Sequence, residues 1–144
     1  MEVLVSLEEG GSHAEDELVD LAEFVLGQEG APANSELSVS LVGPEKMAEL
    51  NRYYLGREGP TDVLSFSMEE ECEGAYLLGD VVICREEAAR RRELYGVQAG
   101  DEVRLVLIHG ILHLLGYNDR DEEGNLRMDE RQRSLLEAWK RGRG

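Results

Sequence analysis

The stretch "DEVRLVLIHGILHLL", residues 101–115, is the longest strongly apolar segment of this 144-residue chain. After its first turn the stretch is apolar nearly all round, which predicts a helix that is buried on every side. At about 100° per residue, His109 and His113 are about 400° apart, so both side chains should point the same way, one turn apart. Such a pair can bind a metal ion or simply form hydrogen bonds within the core.

The segments on either side of this helix alternate between strand and helix patterns. Period-two hydrophobicity and turn signals predict strands at 2–7, 35–43, 62–68 and 77–84, with the acidic stretch "EEECEGAY" (69–76) as a hairpin loop. Helical periodicity covers 14–28, 44–54, 85–95 and 126–140. The order predicts an α+β fold with one mixed, mostly four-stranded sheet, helices packed on it and the histidine helix buried in the core. No repeat or linker interrupts the chain, so we expect a single domain over 1–144.

The charge of the chain is strongly acidic, with 15 Lys and Arg against 31 Asp and Glu and a net charge of −16. This balance argues against a general nucleic-acid binder, because affinity for phosphate comes mainly from basic residues. The basic residues are unevenly distributed, however: residues 1–45 have none, while 85–92 and 120–143 are rich in arginine. The distribution is compatible with an acidic back and a basic working face, or with an ordinary solvated surface.

Nothing in the sequence indicates a membrane segment or a disulfide framework. No apolar run reaches the roughly 18 residues that a membrane span needs, and the N-terminus looks like a strand rather than a signal peptide. Cys72 and Cys84 fit no zinc or redox spacing, so we expect ordinary reduced thiols. We therefore expect a cytoplasmic protein.

A third metal ligand is predicted by the residues that follow the histidine helix. Gly116 can take the left-handed conformation that ends a helix, so the chain can fold back and bring Asp119 to the histidines. The pattern H-x-x-x-H-x-x-G-x-x-D has the spacing of the metzincin zinc motif, with aspartate in place of the last histidine. Three protein ligands leave one position open for a zinc-bound water, which is typical of a catalytic zinc.

Gly110 stands where zinc proteases have the glutamate that acts as general base. Peptide hydrolysis by that route is therefore not expected. A zinc-bound water already approaches a pKa of about 7 without that glutamate, and phosphodiester cleavage depends as much on positioned charge as on a protein base. The residues thus favour cleavage of a phosphodiester.

At this point three blocks resemble one family. The stretches "LNRYYLGREGPTDVLSFSM" (50–68), "LGDVVIC" (78–84) and "HGILHLLGYND" (109–119) are similar, in order and separation, to blocks of the YbeY family of single-zinc endoribonucleases. The resemblance covers about residues 37–130. It implies one Zn²⁺ per chain and cleavage of single-stranded RNA in the maturation of ribosomal RNA, especially the 3′ end of 16S rRNA, and in ribosome quality control. It also implies the small ribosomal subunit and its assembly factors as partners. The histidine ligands carry over to His109 and His113.

The chain departs from the family pattern at three positions. Asp119 replaces the third histidine ligand, and Asn118 replaces the aspartate before it. An anionic ligand should make the bound water less acidic. Leu55 replaces an arginine that would bind phosphate beside the zinc. Arg57, two residues on, is a candidate for that role, but the sequence favours the alternative of a plain solvent-facing arginine.

The remaining candidate residues each have a structural alternative. Thr61 and Asp62 either line the cleft or serve the turn before a strand, and Asp80 is either a catalytic base near the metal or part of a β-bulge. Further contacts with RNA phosphates are expected from Arg90, Arg91 and Arg92. Two other functions remain open: a non-catalytic ribosome-assembly factor with a weakened metal site, and a metzincin-like protease.

Overall fold

A computed structural model describes residues 1–7 and 12–143 of the chain. Its four strands are β1 (Glu2–Leu7), β2 (Ser35–Leu41), β3 (Val63–Cys72) and β4 (Ala75–Ile83). Its helices are α1 (Ser12–Gln28), α2 (Pro44–Leu55), α3 (Arg85–Arg90), α4 (Arg92–Tyr95), α5 (Asp101–Leu114) and α6 (Glu122–Arg143). No helix in these ranges is long and apolar enough to cross a membrane.

The strands form one mixed sheet in the order β1-β2-β4-β3. β1 and β4 both run parallel to β2, while β3 pairs antiparallel with β4. The predicted α+β fold with one mixed four-stranded sheet is confirmed. Among the described strands β3 pairs only with β4, so its other edge is open.

The two faces of the sheet are covered unequally. On one face, inward side chains of the strands, such as Leu37, Val39 and Val81, join one large core with residues of α1, α5 and α6. The other face carries a smaller cluster, where Met47 of α2 packs with Leu64 and neighbouring side chains. Helix α5 is buried along most of its length, as its all-round apolar sequence predicts.

The hairpin differs from the predicted one. The stretch 69–76 is not a loop, because β3 continues to Cys72 and β4 begins at Ala75. The turn is only Glu73 and Gly74, whose φ angles of 50° and 86° are the two positive values that a tight type I′ turn requires. The acidic side chains at 69–71 are exposed, and charges on an edge strand oppose pairing with another chain.

Two helices also differ from their predicted bounds. The helix expected at 85–95 is interrupted at Arg91, whose φ of −97° and ψ of 5° are not helical. Helix α6 begins at Glu122 rather than near 126, because the Asp121 carboxylate accepts a hydrogen bond of 2.6 Å from the Gly124 amide. This side-chain bond satisfies one of the free amides at the start of the helix.

Both cysteines are free, as expected. Cys84 is buried, and this burial raises the pKa of its thiol, whereas Cys72 is exposed.

Candidate active site

A cavity of about 650 Å³ wraps around the open edge of β3. Four consecutive β3 residues, 63–66, line it, and because their side chains alternate between the faces of the sheet, both faces contribute. The other walls are the end of α2, the loop that follows it, and the histidine side of α5. The polar lining residues are Asn51, Tyr54, Arg57, Glu58, Thr61, Ser65, Arg91, His109, His113 and Asp119.

The two histidines lie side by side in this cavity. Their ring centroids are 6.3 Å apart and their planes differ by 11°, as expected for residues one helical turn apart. His113 is exposed and His109 half-buried. Helix α5 thus presents two near-parallel imidazoles to the same space.

Gln132 of α6 orients His109. Its Oε1 lies 2.9 Å from His109 Nδ1, and its Nε2 donates to Asp129 Oδ1 at 3.2 Å. Because the amide nitrogen is engaged by a carboxylate, the atom facing the imidazole is the amide oxygen, which can only accept. In the neutral imidazole the proton therefore lies on Nδ1, and Nε2 is left with a lone pair for a ligand.

Gly110 is the point of closest approach between α5 and the sheet. A Cβ at this position would lie 2.6 Å from Val81 Cγ1 and 3.1 Å from Ser65 Oγ. The Ser65 hydroxyl also donates to the Gly110 carbonyl oxygen at 3.1 Å. A glutamate after His109 therefore has no room in this packing, which gives a physical reason for the missing protease base.

The end of α5 turns as predicted at Gly116, whose φ is 104°. The Gly116 amide donates to the His113 carbonyl at 3.2 Å, and the Tyr117 amide donates to the Leu112 carbonyl at 3.0 Å. These two bonds are those of a Schellman motif, which ends a helix and reverses the chain. The prediction of a helix stop at Gly116 is confirmed.

Tyr117 anchors the loop that follows. Its hydroxyl donates to Glu29 Oε1 at 2.6 Å, and Glu29 also pairs with Arg131 of α6 at 2.7 Å. The hydrogen bond to Glu29, together with burial, raises the pKa of Tyr117. The loop is thereby held against α1 and α6, and Asp119 lines the same cavity as the histidines.

The three predicted ligands share a cavity without closing into a metal-binding cluster. Within residues 1–7 and 12–143, no group of three or more His, Cys, Asp or Glu side chains is close enough together to hold a metal ion. Asp119 is exposed on its loop. Two imidazoles and a carboxylate are nevertheless a donor set that suits zinc, and the free Nε2 of His109 suits a ligand.

An ion pair between the partly exposed Arg91 and the buried Asp62 forms part of the cavity wall. Asp62 is only 7% exposed, and its carboxylate pairs with Arg91 Nη1 at 3.0 Å and accepts a hydrogen bond from the Tyr95 hydroxyl. Arg91 also donates to Thr61 Oγ1 at 3.2 Å. Thr61 and Arg91 line the cavity, whereas Asp62 lies behind Arg91 and holds it.

The other predicted arginines are distributed differently. Arg57 is exposed and lines the cavity, next to the rim formed by Leu55. Arg90 pairs with Glu87 at 2.8 Å and Arg92 with Glu102 at 3.4 Å, and neither lines the cavity.

Asp80 does not line the cavity either. Its neighbour Val81 faces α5, and successive side chains of a strand point to opposite faces, so Asp80 projects from the face opposite the histidines. The β2–β4 register shifts beside it, between Glu36 and Leu37, which is the bulge that its Gly-Asp sequence suggested.

Two residues of this site had no signal in the sequence. Gln132 follows His113 by 19 residues on another helix, and Tyr95 ends a short helix. Only the packing of α4, α5 and α6 brings them to His109 and Asp62, so no local pattern could have singled them out.

Comparison with known proteins agrees with this architecture. A solution structure from Thermotoga maritima is similar with a TM-score of 0.67 and 28% identity, over 95% of this chain and 88% of that one. The family model "Endoribonuclease YbeY" matches residues 7–140. A protein named endoribonuclease YbeY from Thermobifida fusca is 41% identical over 98% of this chain and 96% of that protein. Another of the same name, from Mycobacterium sp. strain KMS, is 38% identical over 96% of this chain and 84% of that protein. The matches span both the histidine helix and the β3 edge, and the chain belongs to the endoribonuclease YbeY family.

Proposed function

We propose that the protein is a zinc-dependent endoribonuclease that hydrolyses phosphodiester bonds of single-stranded RNA. The observation that carries the proposal is the cavity on the β3 edge, which gathers His109, His113, Asp119 and two arginines in a member of this family. The chain would act as one domain over residues 1–144.

In this proposal His109, His113 and Asp119 hold one zinc ion. When bound, zinc would supply positive charge to a phosphoryl oxygen and an activated water. Asp119 would have to approach the histidines, since the three side chains do not yet form a ligating cluster. Gln132 keeps the His109 ring in the orientation and tautomer that a metal ligand needs.

The remaining polar groups would bind the RNA backbone. Arg57 lies in the position to contact a phosphate at the open mouth, and Arg91, held by Asp62, would contact one deeper in. Thr61 would act on the backbone through Arg91, because its hydroxyl accepts from Arg91 at 3.2 Å and donates to Asp62 Oδ1 at 3.4 Å. Asp80 receives no role as a base because it faces away from α5.

The physiological substrate that we propose is ribosomal RNA, with the 3′ end of 16S rRNA as the processing site and the small subunit with its assembly factors as partners. A role in ribosome quality control follows from the same substrate. The choice of ribosomal RNA as substrate rests on the family resemblance. A ribosomal substrate implies a cytoplasmic location. Mapping product ends would distinguish attack by water from attack by the RNA 2′-hydroxyl, because only the latter leaves a cyclic phosphate.

A second candidate function is a non-catalytic assembly factor. Two observations favour it: the absence of a three-donor cluster among the described residues, and Leu55 in place of the family arginine. A protease remains disfavoured, since Gly110 leaves no space for a glutamate base.

The test combines metal content with cleavage. We expect about one zinc per chain by inductively coupled plasma mass spectrometry, its loss in His109→Ala and in Asp119→Ala, and zinc-dependent cleavage of a labelled single-stranded RNA but not of its duplex. Gln28→Ala, an exposed change on α1, is the matched control. If the protein binds RNA but contains no zinc and cleaves no RNA, the result supports the non-catalytic assembly factor instead.

A further inference from the structure

Three aromatic side chains form a patch at the rim of the cavity. The Tyr54 ring lies 5.0 Å from the Phe66 ring at an angle of 59°, and 4.8 Å from the Tyr53 ring at 78°. Both contacts are steeply inclined, so neither neighbour stacks parallel on the Tyr54 ring. Tyr54 is 58% exposed and Tyr53 is 81% exposed.

This patch belongs to the same cavity as the histidines. Tyr54 and Phe66 line it together with His109 and His113. A flat aromatic surface that remains open to solvent, in the same cavity as a candidate hydrolytic centre, is suited to a flat ligand. Bases of single-stranded nucleic acid stack on such side chains, whereas paired bases have their faces covered by neighbouring base pairs.

The cavity offers little net positive charge for holding a phosphate backbone. Its cationic lining side chains are Arg57 and Arg91, and Arg91 is already paired with Asp62. Two carboxylates, Glu58 and Asp119, line the same space. Leu55 adds an exposed apolar side chain where the family has arginine. Apart from the zinc proposed at the histidines, phosphate contacts therefore have about one uncompensated cationic side chain, Arg57, to draw on.

We propose that Tyr54, supported by Phe66 and flanked by Tyr53, is a stacking site for an unpaired nucleobase, and that stacking rather than charge supplies most of the RNA affinity. The inference rests on the proposed function for the identity of the ligand. It accounts for how so acidic a chain can bind RNA. It also makes the preference for single strands a property of the rim, separate from the chemistry at the histidines.

The test measures binding of a short single-stranded RNA that carries one 2-aminopurine, by anisotropy and fluorescence quenching, in a His113→Ala background to prevent cleavage. Tyr54→Leu should weaken binding at least about 5-fold, from the roughly 1–3 kcal/mol per stacked base, and abolish the quenching. Tyr54→Phe should stay within about 2-fold, and Tyr54→Trp should bind as well or better. Leu94→Ala removes another exposed apolar side chain outside the cavity and should change nothing.

Salt dependence supplies a second readout. With about one phosphate contact, affinity should fall only about 3-fold between 50 and 200 mM salt, whereas three contacts would give about 20-fold. A 20-fold loss, unchanged binding in Tyr54→Leu, or no RNA binding by the parent protein would overturn the inference. Circular dichroism checks folding, and the Phe and Trp variants keep the ring if Tyr54→Leu does not fold.

Failure of the two proposals can be told apart. If the protein cleaves RNA with zinc but RNA binding does not depend on Tyr54, the stacking site is refuted and the nuclease proposal is supported. If base stacking depends on Tyr54 but the protein does not cleave RNA, the stacking site is supported and the nuclease proposal is refuted.

Discussion

Gly110 sets the distance between the histidine helix and the sheet, because no side chain separates its backbone from Val81. We expect Gly110→Ala to lower the free energy of unfolding by about 1–3 kcal/mol, since a Cβ there would overlap with Val81 Cγ1 and force the helix outward. Urea denaturation measures the change.

The double variant Gly110→Ala with Val81→Ala is the control for this contact. Because Val81→Ala removes the overlapping methyl groups, the double variant should lose less stability than the sum of the two single variants. Strict additivity would show that the two residues do not touch.

Gln132 acts on the proposed metal through His109. Gln132→Ala should lower zinc affinity about 10- to 100-fold, as expected when the partner that orients a ligating histidine is removed. Competition with a chromophoric chelator measures it. The control variant Gln132→Glu retains an acceptor for His109 Nδ1–H and should keep most of the zinc affinity. If Gln132→Ala binds zinc as tightly as the parent protein, Gln132 does not orient a zinc ligand.

At the scale of elements, Asp101 joins the start of α5 to the end of α6. Its carboxylate accepts hydrogen bonds from Lys140 and Arg104, both at 2.6 Å. Burial alone would raise the pKa of Asp101, but the hydrogen bonds and charges of Lys140 and Arg104 outweigh it, so the pKa lies below its usual value. Arg104 also pairs with Glu17 of α1, so one cluster ties three helices together.

This cluster predicts a pH-dependent contribution to stability. A carboxyl whose pKa is depressed by folding stabilises the protein above its unfolded pKa of about 3.9, and the contribution is lost as pH falls through the folded pKa. Asp101→Asn should therefore cost about 2 kcal/mol at pH 7, and progressively less below about pH 4. Urea midpoints across that range measure it. An equal cost at pH 7 and pH 3 would exclude ionisation of Asp101 as the cause.

The accuracy of the sequence predictions also depends on the element. The histidine helix and its stop at Gly116 were predictable because periodicity and a glycine cap are local signals. The hairpin was predictable too, but the length of its strands was not, since its Glu-Gly turn lies within a run of acidic residues, which are ordinarily depleted in strands. Asp62 matched a motif, yet only tertiary packing reveals that Arg91 and Tyr95 engage its carboxylate.

At the scale of the whole molecule, the basic residues do not form one free working face. Of the 15 Lys and Arg side chains, ten take part in ion pairs among the described residues: Arg90, Arg91, Arg92, Arg104, Arg127, Arg131, Arg133, Lys140, Arg141 and Arg143. Most of the arginines of 85–92 and 120–143 thus serve to neutralise nearby carboxylates. The excess of acid remains on the surface.

A net charge of −16 on a chain of this size should destabilise the fold through self-repulsion. Added salt screens that repulsion and also weakens exposed ion pairs, but each exposed pair contributes only about 0–1 kcal/mol. We therefore expect Tm to rise by about 3 °C between 20 and 300 mM NaCl, measured by differential scanning calorimetry. Replacing the exposed Glu70 and Glu71 with glutamine should raise Tm at low salt and reduce this response, because two repelling charges are gone. A Tm that falls with salt would mean that the ion pairs outweigh the repulsion.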